Sequence, residues 1–106
     1  MQLIESLKWR YATKKFDTSK KVSQQHINII KEAVQLSASS YGLQPFKVLE
    51  INNPKLREEL KPLSWNQSQI TDASHLFVFC NAIEVTENDV DNLIELKSNI
   101  NNISII

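Results

Sequence analysis

Residues 37–54 read SASSYGLQPFKVLEINNP, and the order of signals within them decides the fold. Three serines and the only glycine of the chain, Gly42, precede Pro45. That composition breaks a helix and leaves a loop with exposed hydroxyl and backbone N–H groups. Phe46–Ile51, FKVLEI, then alternates apolar and polar residues, the period of a strand. Asn53-Pro54 follows at once, a helix cap with proline at the first helical position. A strand is thus predicted between two helices.

Working outward, Ser23 can cap a helix running to about Ser37, with Ile27, Ile30 and Val34 on one face and Ala33 widening it. Such a face predicts packing against a sheet. Leu3, Ile4 and Leu7 recur at helical spacing, so residues 2–10 form a short helix, and Arg10–Asp17 a charged loop or short extended piece. Downstream, Leu56, Leu60 and Leu63 line a helix that Pro62 ends or kinks. Residues 66–73 read as another short helix. His75–Cys80, HLFVFC, is nearly all apolar, as in a strand buried on both faces, with Cys80 a buried thiol. Thr86 with Asp89 three residues on opens a last helix as a capping box; Val90, Leu93, Ile94 and Leu96 would face the core. The tail from Ser98, SNINNISII, shows no structural logic of its own.

The order is helix, helix, strand, helix, helix, strand, helix, an α+β chain with an incomplete sheet. Two strands make a poor sheet alone. The expectation is a fragment, or a chain that completes its sheet with another.

Composition narrows the classes. The chain has 106 residues, with twelve basic and twelve acidic side chains, 42% hydrophobic and 23% charged. One ordinary globular domain fits, and wholesale disorder does not. No run of about 18 apolar residues exists, so no membrane span is expected. The start, MQLIESLKWR, lacks the h-region and cleavage site of a secretion signal. Cys80 is the sole cysteine, and neither it nor His26 and His75 has a metal-ligand spacing. A reducing, cytoplasmic setting and no metal are expected. Zero net charge counts against nucleic acid as the main partner.

Charge is nevertheless uneven. Lys8, Arg10, Lys14, Lys15, Lys20 and Lys21 are half of the basic residues, with only Asp17 among them. The bland reading is a solvated surface. The sharper one is an anion site, since the planar fork of arginine donates two parallel hydrogen bonds to phosphate. The acidic stretch Glu84–Glu95 reads as a solvated helix face. Trp9 and Trp65 read as packing residues.

Three segments now resemble known motifs. LKWRYATKKFD (7–17) resembles the opening motif of the FMN-dependent nitroreductase family. SASSYGLQPF (37–46) resembles its second motif, serines before Gln-Pro-Trp or Gln-Pro-Phe. WNQSQITDASHLFVF (65–79) resembles its third, Asn before a short helix, Asp-Ala-Ser and a buried strand. They occur in family order across residues 3–80, most similar to the branch of NAD(P)H-dependent nitroreductases and dihydropteridine reductases.

The resemblance implies an α-β-α sandwich, here partial, with residues 1–106 as the N-terminal portion of one nitroreductase-like domain. It implies a homodimer with FMN at the subunit interface. Hydride would pass from NAD(P)H through the flavin to a nitroaromatic, quinone or similar acceptor. By resemblance, Arg10 grips the FMN phosphate, beside Tyr11 and Ala12. Alanine at 12 loses a hydroxyl contact that relatives have. Lys14, the one catalytic candidate, approaches the N1/O2 edge of the flavin. Ser39, Ser40 and Gly42 form the loop offered to the partner's flavin, with Gly42 where several members have Asn. Asn66 lies near the pyrimidine edge, and Gln69 stands where relatives often have Lys. A second Lys/Arg phosphate cluster and a Gly-containing flavin loop, which members carry further on, do not appear. Without the family pattern, Ser39 and Ser40 could be helix-terminating hydroxyls and Asn66 a helix cap. The alternative function is a catalytically inactive fragment or interaction module that keeps the fold.

Overall fold

The structure is a computed structural model that describes residues 2–101. Five α-helices and two strands occur among them. They are α1 (Leu3–Trp9), α2 (Gln24–Leu36), β1 (Phe46–Glu50), α3 (Pro54–Leu63), α4 (Gln69–Asp72), β2 (Phe77–Asn81) and α5 (Glu87–Asn101). A 3-10 turn, Ser40–Gly42, lies before β1. Chain segments gather into two compact units, residues 2–22 with 50–76 and residues 23–49 with 77–101.

In the first unit, α3 starts as its sequence demands. The side chain of Asn53 accepts from the N–H groups of Lys55 and Leu56, and Pro54 occupies the first turn, where its missing N–H costs nothing. Pro62 sits in the last turn, so the helix ends one residue later, at Leu63. The chain then reverses with Trp65 and Asn66 both left-handed, at φ 54° and 55°. The Asn66 N–H donates to Lys61 O at 2.9 Å, closing the six-residue loop of a Schellman end. Glycine normally takes the position Trp65 holds. The helix expected over residues 66–73 is therefore only Gln69–Asp72, because the left-handed turn comes first.

Arg57 joins α3 to α4. It is 7% exposed. Its Nε donates to Ile70 O at 2.7 Å and its Nη2 to Ala73 O at 2.6 Å. Both carbonyls lie at the C-terminal end of α4, where no intrahelical donor can reach them. A cation there satisfies two orphan acceptors and complements the helix dipole.

In the second unit, Ser23 caps α2 by accepting from His26 N–H. Ile27 of α2, 1% exposed, is the one buried apolar residue among those described. β1 and β2 form a two-stranded sheet. Ile51 N–H donates to Leu76 O and Ala82 N–H to Pro45 O, which fixes an antiparallel register. Val48 thus stands opposite Phe79, and Lys47 opposite Cys80. Ile30 and Val34 face Val48, Phe77 and Phe79 across an apolar recess of about 300 Å³.

The expectation that residues 75–80 form a strand buried on both faces is therefore corrected. β2 begins at Phe77, Phe79 is 63% exposed, and Cys80 is half-buried. Two strands with α2 over one face supply too little to cover it. The last helix also differs. Its capping box forms as read: Thr86 N–H donates to Asp89 Oδ2 at 2.8 Å and Asp89 N–H to Thr86 Oγ1 at 3.2 Å. These bonds from the Thr86 backbone and hydroxyl hold the Asp89 carboxyl below the ordinary aspartate value. The cap thus contributes above that ordinary value and is lost as pH falls through the lowered one. α5 runs on through Asn101, so part of the tail is helical; residues 102–106 lie outside the described residues. Of its expected core residues only Leu93 is half-buried, while Val90, Ile94 and Leu96 stay exposed.

Candidate functional site

The two loops carrying the second and third motifs share a backbone property. Every non-glycine residue with positive φ among those described falls in them: Tyr41 and Gln44 in one, Trp65 and Asn66 in the other. Each such residue costs about 1–2 kcal/mol against the right-handed conformation. Strain of this kind concentrates at functional sites, where a particular side-chain direction is worth its cost. Asn66 projects an exposed amide from this turn.

Trp65, 91% exposed, and Trp9, 76% exposed, do not pack as the sequence suggested. The short helices that carry or precede them bury little. Trp65→Gly tests the strain directly. It removes a left-handed side chain that contributes almost no burial. We expect it to raise unfolding free energy by about 0.5–1 kcal/mol, net of the extra freedom glycine has when unfolded. Urea denaturation of both proteins checks this.

The first unit holds Arg10, Tyr11, Ala12, Lys14, Asn66 and Gln69; the second holds Ser39, Ser40 and Gly42. Arg10 is the C-cap of α1, its N–H donating to Ser6 O. Past it, residues 11–22 have no helix or strand, and all are exposed. Among the described residues, neither the Arg10 guanidinium nor the Lys14 ammonium has a side-chain partner. Both are free to receive an anion. Within the segment, Asp17 accepts from the hydroxyl and N–H of Ser19, which lowers its pKa. Its contact with Lys20, at 3.8 Å on the surface, contributes little.

Other candidates are engaged in local structure. Ser39 Oγ accepts from Gln44 N–H at 2.9 Å, and Gln44 in turn bonds Gln35 O with its side chain. Ser39 thus braces its own loop, while the helix-terminating hydroxyl is that of Ser37, donating to Ala33 O. Ser40 is exposed. Gly42 has φ +71°, and a Cβ there would come no nearer than 3.8 Å to Lys97 Nζ. Backbone conformation, not space, therefore favours glycine there. Gln69 donates to the Gln67 side chain at 3.0 Å. Beside this loop, Gly42, Lys47, Cys80, Asp89 and Leu93 help line an open cleft of about 550 Å³.

Sequence reasoning missed Arg57, which clamps α4 to α3, and Gln44, which braces the loop of the second motif. Arg57 lies on a face of α3 that reads as solvated, and only folding brings it to α4. Among the described residues no group of His, Cys, Asp and Glu could hold a metal. Among the described residues no helix is long and apolar enough to cross a membrane.

The family model described as "Nitroreductase family" matches residues 7–101. A Staphylococcus saprophyticus protein provisionally named an NAD(P)H nitroreductase is 39% identical over 85 residues, covering 79% of this chain and 39% of its own length. The major NAD(P)H-flavin oxidoreductase of Aliivibrio fischeri is 36% identical over 94 residues, covering 84% of this chain and 43% of its own. The chain thus spans about two-fifths of these relatives. The solved structure of NADPH:FMN oxidoreductase from Vibrio harveyi, complexed with NAD+, superimposes with a TM-score of 0.70 at 21% identity, over 92% of this chain and 37% of that one.

Proposed function

The chain belongs to the nitroreductase family, and on that footing we propose that it is the N-terminal portion, residues 1–106, of one FMN-dependent oxidoreductase domain. Bound FMN would accept hydride from NAD(P)H and deliver it to a nitroaromatic, quinone or similar acceptor. The observation that carries this reading is the exposed pair Arg10 and Lys14, without side-chain partners among the described residues, in a segment that starts at a helix C-cap.

The donor set fits the cofactor. Arg10 would hold the phosphate by paired charge-assisted hydrogen bonds, with Tyr11 and Ala12 beside it. Lys14 would place a positive charge at the N1/O2 edge, where negative charge develops on reduction. Asn66, aimed outward by its left-handed backbone, would bond the pyrimidine edge, with Gln69 nearby. Ser39, Ser40 and Gly42 would approach the flavin of a partner subunit. Hydride transfer needs no protein acid or base at the reacting carbon, so these residues bind and orient.

A homodimer accords with the exposed apolar face of α1, where Leu3, Ile4 and Leu7 have no cover. A cytoplasmic setting accords with the single free thiol, Cys80.

The test is a visible spectrum of the purified chain after saturation with FMN and removal of excess, alongside its mass in solution. Retained, spectrally shifted FMN and NAD(P)H oxidation on addition of a quinone are expected. A colourless preparation would overturn the flavin reading and favour the inactive module.

A further inference from the structure

The cationic segment 11–22 carries Lys14 and follows directly on Arg10, yet it has no secondary structure to hold it. Among the described residues, a single hydrogen bond fastens it to the rest of its unit. Val22 N–H donates to Ser74 Oγ at 2.8 Å, across 52 residues of sequence. Ser74 is half-buried and in turn bonded: its Oγ lies 2.6 Å from His75 Nδ1. On the far side of the ring, His75 Nε2 lies 3.8 Å from Glu50 Oε1. All of these residues belong to one unit.

The chain of contacts has a direction. With the imidazole proton on Nε2, facing the Glu50 carboxylate, Nδ1 is free to accept the Ser74 hydroxyl hydrogen. That hydrogen is then committed to the ring, and the lone pairs of Oγ are left for Val22 N–H. His75 orients Ser74, and Ser74 holds the end of the segment, with the Glu50 carboxylate near the far ring nitrogen. None of the three is required by the flavin site as described.

Resting on the flavin reading above, we infer that Ser74, oriented by His75, is a positioning residue that anchors the cationic segment so that Arg10 and Lys14 meet FMN together. Ser74 itself touches no cofactor. Its contribution is to reduce the number of arrangements the segment samples before binding, which raises affinity by preorganisation.

The test pairs hydrogen exchange at the Val22 amide with FMN titration, on the full chain carrying Ser74→Ala, Ser74→Thr or His75→Leu. A protected Val22 amide is expected in the unaltered chain. Ser74→Ala should speed its exchange about tenfold and weaken FMN binding about three- to tenfold, the scale of one lost hydrogen bond. Ser74→Thr keeps the acceptor and should restore both. His75→Leu should give smaller losses in the same direction, and serves if Ser74→Ala does not fold. Free exchange at Val22 in the unaltered chain would overturn the anchor. Faster exchange with unchanged FMN affinity would overturn the positioning role. An unaltered chain that binds no FMN would remove the flavin reading and the positioning role with it, while Val22 protection would still report the anchor.

Discussion

Arg57→Ala is expected to lower the unfolding free energy by about 2–4 kcal/mol, read from urea or thermal denaturation. The side chain is 7% exposed and bonds Ile70 O and Ala73 O at 2.7 and 2.6 Å. Its removal strands two carbonyls in a partly buried site, each costing about 1–3 kcal/mol when left without a donor. Relaxation of the short α4 and entry of water recover part of that sum. Arg57→Lys should recover only a fraction, because one ammonium cannot span two acceptors held in a planar fork. The turn carrying Trp65 and Asn66 links the two helices that Arg57 clamps. The loss should therefore also reach the candidate flavin loop.

Arg10→Ala is expected to weaken FMN binding about ten- to a hundredfold, measured by fluorescence titration. That is the scale of one charge-assisted bond of about 1.5–3 kcal/mol. Lys14→Ala should act differently, slowing reduction of the flavin by NAD(P)H more than it weakens binding. A cation at the N1/O2 edge matters most once charge has developed there. Because both side chains are exposed and lack side-chain partners among the described residues, neither change should alter stability by more than a few tenths of a kcal/mol. Equal and negligible effects of the two on binding and reduction would remove the motif reading.

Much of the fold was legible where local chemistry decides it. Ser23, Asn53-Pro54 and Thr86 with Asp89 each start a helix as read, because a cap is a contact between near neighbours. The alternation of residues 46–51 and the apolar run 75–80 located both strands to within one or two residues. The misses are tertiary. The exposure of Phe79, Cys80 and the two tryptophans depends on what covers them, and no single-chain pattern states that. The end of α3 was hard to read because Trp65 stands where a glycine would have announced the reversal. The extension of α5 went unread because an Asn- and Ile-rich stretch carries no stop signal and no clear helical face.

At the candidate site, the basic cluster alone pointed to an anion site, and the roles expected of Arg10, Lys14 and Asn66 came from the resemblance to the family motifs. Spacing could not show that the hydroxyl of Ser39 and the amide of Gln69 are already engaged by neighbours. Nor could it show that the segment bearing Lys14 hangs from Ser74.

The antiparallel pairing of β1 and β2 has one more consequence. Bonds at its two ends, Ala82 to Pro45 and Ile51 to Leu76, keep Val48 against Phe79 and leave Lys47 against Cys80 on the opposite side. Side chains alternate with a period of two, so removing one residue from either strand would carry one row of that strand through the sheet. In β2, Val78 and Cys80 would take the side that Phe77 and Phe79 now hold, and in β1, Lys47 and Leu49 would take the side of Val48. Single-residue deletions in these ten positions should therefore be far less forgiving than substitutions at the same places.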